Sequence, residues 1–102
     1  MNKKSDQMKL TVSMVRNALM EVLEGYSGSQ SDVRSKTDEH LLKTDLSLDY
    51  GLDSLDFIKM IVTIHSQYGI NIDERGIEKS EFGKKPTVEN FIKMGNQYRI
   101  KT

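Results

Sequence analysis

The nine residues "DYGLDSLDF", Asp49 to Phe57, place a serine between an aspartate and a leucine, soon after a glycine. Gly51 favours a turn, and the apolar residues that follow Ser54 recur at helical spacing. The stretch therefore predicts a turn that leads into a helix. Three roles are open for Ser54 at the start of that helix: an N-cap, a nucleophile, or a point at which a group is attached.

The predicted second helix runs from about residue 54 to 68, is ended by Gly69, and has more apolar surface than one buried face requires. A surface helix needs an apolar stripe only ~100° wide, whereas this helix has roughly twice that. The helix is therefore either packed on two sides or keeps one stripe at the surface for a partner. The core stripe contains Phe57, Met60, Ile61, Ile64 and Tyr68, and the second stripe contains Leu55, Ile58 and Val62.

Helical spacing also predicts a first helix over about residues 8–24 and a last helix whose N-cap is Thr87. A short, weakly defined helix is expected over 74–82. The polar, Gly- and Ser-rich segment 25–44 has no periodicity and is interpreted as a long loop. No segment alternates with period two, so we expect a small all-α four-helix bundle.

The composition fits one small domain, residues 1–102, with an ordered core over about 8–98. The chain has no cysteine, so helix packing must hold the fold. Arg16 and Asn17 interrupt the apolar residues near the start, which argues against a signal peptide, and no run approaches transmembrane length. We expect a soluble, cytoplasmic monomer.

Charge is unevenly distributed along a chain whose net charge is zero. Residues 38–56 contain six acidic side chains and one lysine, a local balance of −5. This acidic segment leads up to Ser54. It indicates a partner with a basic surface and argues against nucleic acid as a ligand.

An enzyme active site is poorly supported. The residues around Ser54 lack the flanking glycines of a nucleophile elbow. His65 lies about three turns away, ~16 Å along the same helix, while His40 in the loop is not excluded by spacing. The acidic residues before Phe57 do not have the spacing of a calcium loop. We predict no catalytic residue and no metal site.

The motif formed by Gly51, Asp53, Ser54 and Leu55 resembles the Gly-x-Asp-Ser-Leu prosthetic-group site of acyl carrier proteins. The resemblance extends over about residues 44–94. It implies a non-catalytic carrier in which a phosphopantetheinyl transferase attaches 4′-phosphopantetheine from coenzyme A to Ser54. The thiol of that arm would hold an acyl group as a thioester, and the transferase would recognise Asp53 and Leu55.

The same resemblance implies a surface for acyl-loading and acyl-processing enzymes. Ile58 and Val62 match exposed apolar positions of the family, and Asp49 and Asp56 keep part of its acidic character. Lys59 stands where fatty-acid carriers usually have a glutamate, so partner recognition is expected to differ from theirs.

Several functions are compatible with this resemblance. The first is an acyl carrier in fatty-acid, specialised lipid or secondary-metabolite biosynthesis. The segment between Gly69 and Thr87 resembles D-alanyl carrier proteins faintly, so an aminoacyl or peptidyl carrier is an alternative. A helical interaction module that is never modified is another.

Overall fold

The computed structural model describes residues 8–100, and within that range the secondary structure is helical. Two isolated β-bridges, Asp45 with Thr87 and Ile72 with Arg99, are the extended pairings in the described part of the chain. A short 3₁₀ turn at Glu81–Gly83 precedes the last helix. The helices are α1 Val12–Val22, α2 Ser27–Ser35, α3 Asp38–Leu42, α4 Leu46–Tyr50, α5 Ser54–Tyr68, α6 Gly76–Lys79 and α7 Val88–Gln97.

Helix α5 is the longest helix of the described residues and packs mainly against α1, and α7 packs against α1 and the 3₁₀ turn. Between them lies a continuous apolar core that includes Leu19, Met60 and Met94, all fully buried. An aromatic row links α5, the 3₁₀ turn and α7. Phe82 has its ring centroid 4.7 Å from that of Phe57 and 5.3 Å from that of Phe91, both edge to face.

The N-terminus of α4 is attached to the N-terminus of α7 by main-chain hydrogen bonds. The N–H of Leu46 donates to the carbonyl of Pro86 at 2.8 Å, and the N–H of Val88 donates to that of Thr44 at 3.1 Å. Because α4 leads directly into the loop before α5, these bonds hold that loop in a fixed place relative to the bundle.

The all-helical fold and the second helix are confirmed. Helix α5 spans Ser54–Tyr68 and ends at Gly69, whose φ of 74° places it in the left-handed region typical of a C-terminal glycine. Thr87 is the N-cap of α7, as expected. The first helix begins later than predicted, at Val12, because the side chain of Thr11 caps it.

The interpretation of residues 25–44 as a long loop was wrong, because the segment contains α2 and α3. Helix α2 has poor intrinsic helix formers and buries only Val33. Tertiary contacts stabilise it instead. The guanidinium of Arg16 on α1 donates to the carbonyls of Val33 at 2.6 Å and Lys36 at 2.8 Å, and it pairs with the carboxylate of Asp38 at 2.6 Å.

The short helix expected over 74–82 is divided into α6 and the 3₁₀ turn. None of the helices in residues 8–100 is both long enough and apolar enough to cross a membrane. The expected domain limits at residues 1 and 102 lie outside the described residues.

Candidate functional site

The loop between α4 and α5 is fixed by a turn and a buried leucine. Gly51 adopts a φ of 70°, which reverses the chain after α4. Leu52 then inserts into the core with only 7% of its surface exposed. Its N–H donates to the carbonyl of Leu46 at 3.1 Å, and its carbonyl accepts from the hydroxyl of Ser47 at 2.9 Å. The residue two positions later, Ser54, is therefore held at the surface by an anchored loop.

Ser54 is not the cap of α5; its neighbours fulfil that role. The side chain of Asp53 accepts the N–H of Asp56 at 3.2 Å, and the side chain of Asp56 accepts the N–H of Asp53 at 3.1 Å. This is a complete capping box with aspartate at its third helical position. The N-cap role that the sequence left open for Ser54 belongs to Asp53, one residue earlier.

The hydroxyl of Ser54 is consequently available for chemistry. Ser54 is the first residue of α5, is exposed, and makes no side-chain hydrogen bond with another residue in the range 8–100. The positive end of the dipole of this 15-residue helix lies at the same place and favours an attached anion. The capping hydrogen bonds do not involve this oxygen, so they leave it open to substitution.

The second apolar stripe of α5 lies at the surface, so α5 is not fully packed on two sides. Leu55 is 68% exposed and Val62 is 61% exposed, while Ile58 between them is half-buried. The predicted core stripe is buried except for the half-buried Tyr68. The structure thus brings Ser54, Leu55, Ile58 and Val62 together along one exposed flank of α5.

The predicted charged residues lie around this flank. Lys59 is exposed, and its ammonium lies 3.9 Å from the carboxylate of Asp56. Asp49 is exposed on α4, where its carboxylate accepts the N–H of Asp45 at 3.2 Å. Asp49 is therefore across the loop from the flank rather than on α5 itself.

Two surface grooves begin at Ser54, and the sequence did not point to either of them. One has a volume of about 230 Å³ and lies between Ser54, Ile58 and the segment that forms α6, including Ile77. The other, of about 360 Å³, lies between Ser54, Phe57, Ile77 and the chain before α7.

Charged side chains of α6 and of the residues just before it line the first groove. Arg75 donates to the carboxylate of Asp73, with a shortest distance of 2.7 Å, and this hydrogen bond lowers the pKa of Asp73. The same contact raises the pKa of Arg75. Lys79 and two exposed glutamates, Glu74 and Glu78, complete the polar lining. The groove therefore combines aliphatic surface with charges of both signs.

These observations fit a long, flexible arm attached through a phosphate. The hydroxyl is exposed and makes no hydrogen bond with another described residue, the helix terminus favours the charge of a phosphate, and two grooves are lined in part by Ser54.

The sequence family described as phosphopantetheine attachment site matches residues 34–94, from within α2 to within α7. The match covers more than half of the chain, and the chain belongs to this family. Members are carrier domains that bear covalently attached 4′-phosphopantetheine and interact with modifying and processing enzymes. The resemblance drawn from the motif is thereby confirmed. No curated protein and no solved structure matched the chain in the corresponding comparisons.

Proposed function

We propose that Ser54 is the residue that bears 4′-phosphopantetheine and that the protein carries acyl groups on this arm. The observation that carries the assignment is the state of the Ser54 hydroxyl. It is exposed at the first residue of α5 and is released from capping by Asp53 and Asp56. In this proposal the chain is a single, monomeric carrier domain of the cytoplasm and has no catalytic role of its own.

The modification is a transfer of phosphopantetheine from coenzyme A. The Oγ atom of Ser54 forms a bond to the phosphorus that bears the pantetheine, the pyrophosphate bond of coenzyme A breaks, and 3′,5′-ADP leaves. A base of the transferase takes the hydroxyl proton, since Ser54 has no hydrogen-bonded base among the described residues. The bound arm supplies the thiol that this cysteine-free chain lacks, and it presents cargo at a high effective concentration.

The residues next to Ser54 are proposed to guide the transferase. Leu55 is 68% exposed directly beside the hydroxyl, where it provides an apolar contact. Asp53 orients the start of the helix through the capping box and adds negative charge. Asp49, Asp56 and Lys59 would then define the charge pattern that loading and processing enzymes meet.

The cargo class is proposed to be acyl, and an aminoacyl group is the alternative. Lys59 is exposed on the flank of α5 and forms only a long ion pair with Asp56, at 3.9 Å. This positive group and the zero net charge of the chain favour partners other than those of strongly acidic fatty-acid carriers. A specialised lipid or secondary-metabolite pathway is therefore the preferred setting.

Intact-protein mass spectrometry after incubation with coenzyme A and a promiscuous phosphopantetheinyl transferase tests the assignment. We expect a mass gain of one phosphopantetheine in the wild-type chain and in Ser66→Ala, and none in Ser54→Ala. Ser66 is the matched control because it is an exposed serine on the same helix.

The alternatives give different results in this assay and in the one that follows. No mass gain by the folded protein would contradict the attachment site and favour an unmodified interaction module. A mass gain that persists in Ser54→Ala would place the arm elsewhere. The loaded protein is then offered acyl-coenzyme A with an acyl transferase, or amino acids with ATP and an adenylating enzyme, to distinguish the two cargo classes.

A further inference from the structure

The two grooves that Ser54 lines share one wall, formed by Ile77 and Glu78 of α6. The first continues along α5 to Ile58 and is called here the α5–α6 groove. The second continues between Phe57 and the 3₁₀ turn and is called the 3₁₀-side groove. Because Glu78 lines both, its negative charge favours neither. The residues that line only one groove therefore determine which direction an arm on Ser54 takes.

The charge that distinguishes the two grooves is that of Lys84. In the α5–α6 groove, the guanidinium of Arg75 is paired with the carboxylate of Asp73 at 2.7 Å, and the charges of Glu74 and Lys79 have opposite signs. Lys84 lines the 3₁₀-side groove and not the other. It is exposed, and its side chain makes no hydrogen bond or ion pair with another residue in the range 8–100. An ammonium without a counterion is thus placed in one groove.

The 3₁₀-side groove also offers more room and more apolar surface. Its volume is about 360 Å³, against about 230 Å³ for the α5–α6 groove. Phe82 is fully buried and Phe57 is 7% exposed, so their rings lie beneath the groove, while the half-buried Pro86 lines its side. The part of a phosphopantetheine arm next to the phosphate is a carbon that bears two methyl groups. Apolar surface of this kind suits those methyl groups.

The hydroxyl of Ser47 gives the same groove a hydrogen-bond acceptor. Its proton is donated to the carbonyl of Leu52 at 2.9 Å, so its lone pairs remain to accept. The arm contains two amide N–H groups, which are donors. The wall is also fixed in advance, because the carbonyl of Pro86 accepts the N–H of Leu46 at 2.8 Å. A preformed groove lowers the cost of binding a flexible arm.

We propose that Lys84 directs the phosphopantetheine arm into the 3₁₀-side groove. Its ammonium pairs with the phosphodiester on Ser54, Phe57 and Pro86 contact the methyl groups, and Ser47 accepts from an amide N–H. This inference rests on the proposed attachment at Ser54 and deepens it, since it names the residue that sets the direction of the arm.

The proposed contact holds the arm without trapping it. An exposed ion pair between a lysine and a phosphate is weak and is screened by salt. The arm would therefore exchange between the groove and the solvent, where a partner enzyme reaches its thiol. Leu55 and Val62 line neither groove, so an arm in the 3₁₀-side groove leaves their part of α5 uncovered.

Two-dimensional ¹⁵N NMR of the full-length chain, before and after loading by a phosphopantetheinyl transferase, tests this direction. Attachment itself shifts the amides nearest Ser54, so more distant amides are informative. We expect larger shifts at Gly83 and Lys84 than at Glu74 and Arg75. The chain has no cysteine, so a thiol-reactive nitroxide labels the arm alone. It should broaden the same two amides of the 3₁₀-side groove more than the two of the α5–α6 groove.

Lys84→Gln and Lys85→Gln form a matched pair, because Lys85 is an adjacent exposed lysine that lines neither groove. Each variant is compared with its own apo form. Lys84→Gln should lower the ratio of bound to free arm about twofold to fivefold, read from the shift at Gly83. Lys85→Gln should leave that shift unchanged, and Lys84→Arg should retain it. Raising the salt from about 10 mM to about 1 M, which shortens the screening length from about 30 Å to about 3 Å, should reduce the shift in the wild-type protein but not in Lys84→Gln.

The outcomes separate this inference from the proposed function. Failure of the folded chain to load would contradict the attachment at Ser54 and this inference with it. A protein that loads at Ser54 would overturn this inference alone if its shifts centred on Glu74 and Arg75, if no amide beyond the attachment point shifted, or if the two glutamine variants behaved alike.

Discussion

Asp53 and Asp56 cap each other's backbone, with N–H to carboxylate distances of 3.2 Å and 3.1 Å on either side of Ser54 and Leu55. Two orphan N–H groups at the start of α5 are thereby satisfied without the serine. The structural role and the proposed chemical role of the motif are thus divided between neighbours: the aspartates begin the helix, and the hydroxyl of Ser54 remains available.

This division predicts that substitutions of Asp53 and Ser54 lower the free energy of unfolding by different amounts. Asp53→Ala removes the N-cap and should lower the free energy of unfolding by about 1 kcal/mol. Ser54→Ala removes no described hydrogen bond and should change it by less than about 0.5 kcal/mol. Urea unfolding followed by circular dichroism measures both. A cost for Ser54→Ala equal to that of Asp53→Ala would mean that the serine is the cap after all.

Alanine is predicted to have opposite effects on stability at Gly51, in the turn before Ser54, and at Gly28, in α2. Gly51 has a φ of 70°, so Gly51→Ala should destabilise the protein by about 1 kcal/mol and slow transfer of phosphopantetheine to Ser54. Gly28 lies inside α2, and an added Cβ there would have no neighbour within 4 Å. Gly28→Ala should therefore stabilise the protein by up to about 1 kcal/mol. Thermal unfolding compares the pair. Stabilisation by Gly51→Ala would contradict the assigned turn, and destabilisation by Gly28→Ala would contradict the unhindered helical position assigned to Gly28.

Helix α5 could be predicted from the sequence because its determinants are local. The apolar periodicity, the aspartate before Ser54 and Gly69 after Tyr68 all lie within or beside the helix. The exposed stripe was also visible as apolar surface in excess of one buried face. Whether Asp53 or Ser54 would be the N-cap was not visible, because both are good N-cap residues and only the backbone geometry decides between them.

Helix α2 and the grooves beside Ser54 could not be predicted, because contacts distant in sequence form them. Arg16 satisfies carbonyls at the end of α2 from a position 17 or more residues earlier. Likewise, Ile77 meets Ser54 only after the chain has passed through α5. Polar segments with serine and glycine are interpreted as loops when such tertiary partners are unknown.

The exposed stripe predicts that Val62→Glu affects partners more than the fold. Val62 is 61% exposed, so a carboxylate there stays in water and should leave the unfolding midpoint nearly unchanged. Ile64 is fully buried, and Ile64→Glu should prevent stable folding, since it buries a charge without a partner. Circular dichroism measures whether each variant folds, and an acyl-loading assay measures whether partner enzymes still recognise it. Unfolding of Val62→Glu would show that this stripe belongs to the core.

The contact between Tyr50 and Asp32 predicts that Tyr50→Phe loosens α2. The Tyr50 hydroxyl donates to the Asp32 carboxylate at 2.7 Å, and the Lys36 ammonium lies 3.2 Å from the same carboxylate and 5.3 Å from the centre of the tyrosine ring. Loss of this hydrogen bond at a largely exposed carboxylate should cost about 0.5–1 kcal/mol at pH 7. Hydrogen exchange should report faster exchange in α2, and Tyr26→Phe, at an exposed tyrosine, is the control.

The same contact predicts how the difference in unfolding free energy between the wild-type protein and Tyr50→Phe depends on pH. The hydrogen bond from Tyr50, and then that from Lys36, lower the pKa of Asp32 below its ordinary value of 3.8, so this stabilisation is present above that pH and is lost as pH falls through the folded-state value. Burial and then Asp32 raise the pKa of Tyr50 above 10.0, so its stabilisation is present below pH 10 and is lost as pH rises further. Urea unfolding at intervals from pH 2.5 to 11 should therefore show the largest stability advantage of the wild-type protein over Tyr50→Phe between about pH 4 and 10, and a smaller advantage on either side of that window. A difference that stayed constant across this range would mean that Tyr50 acts through packing alone and that its hydroxyl does not hold α2.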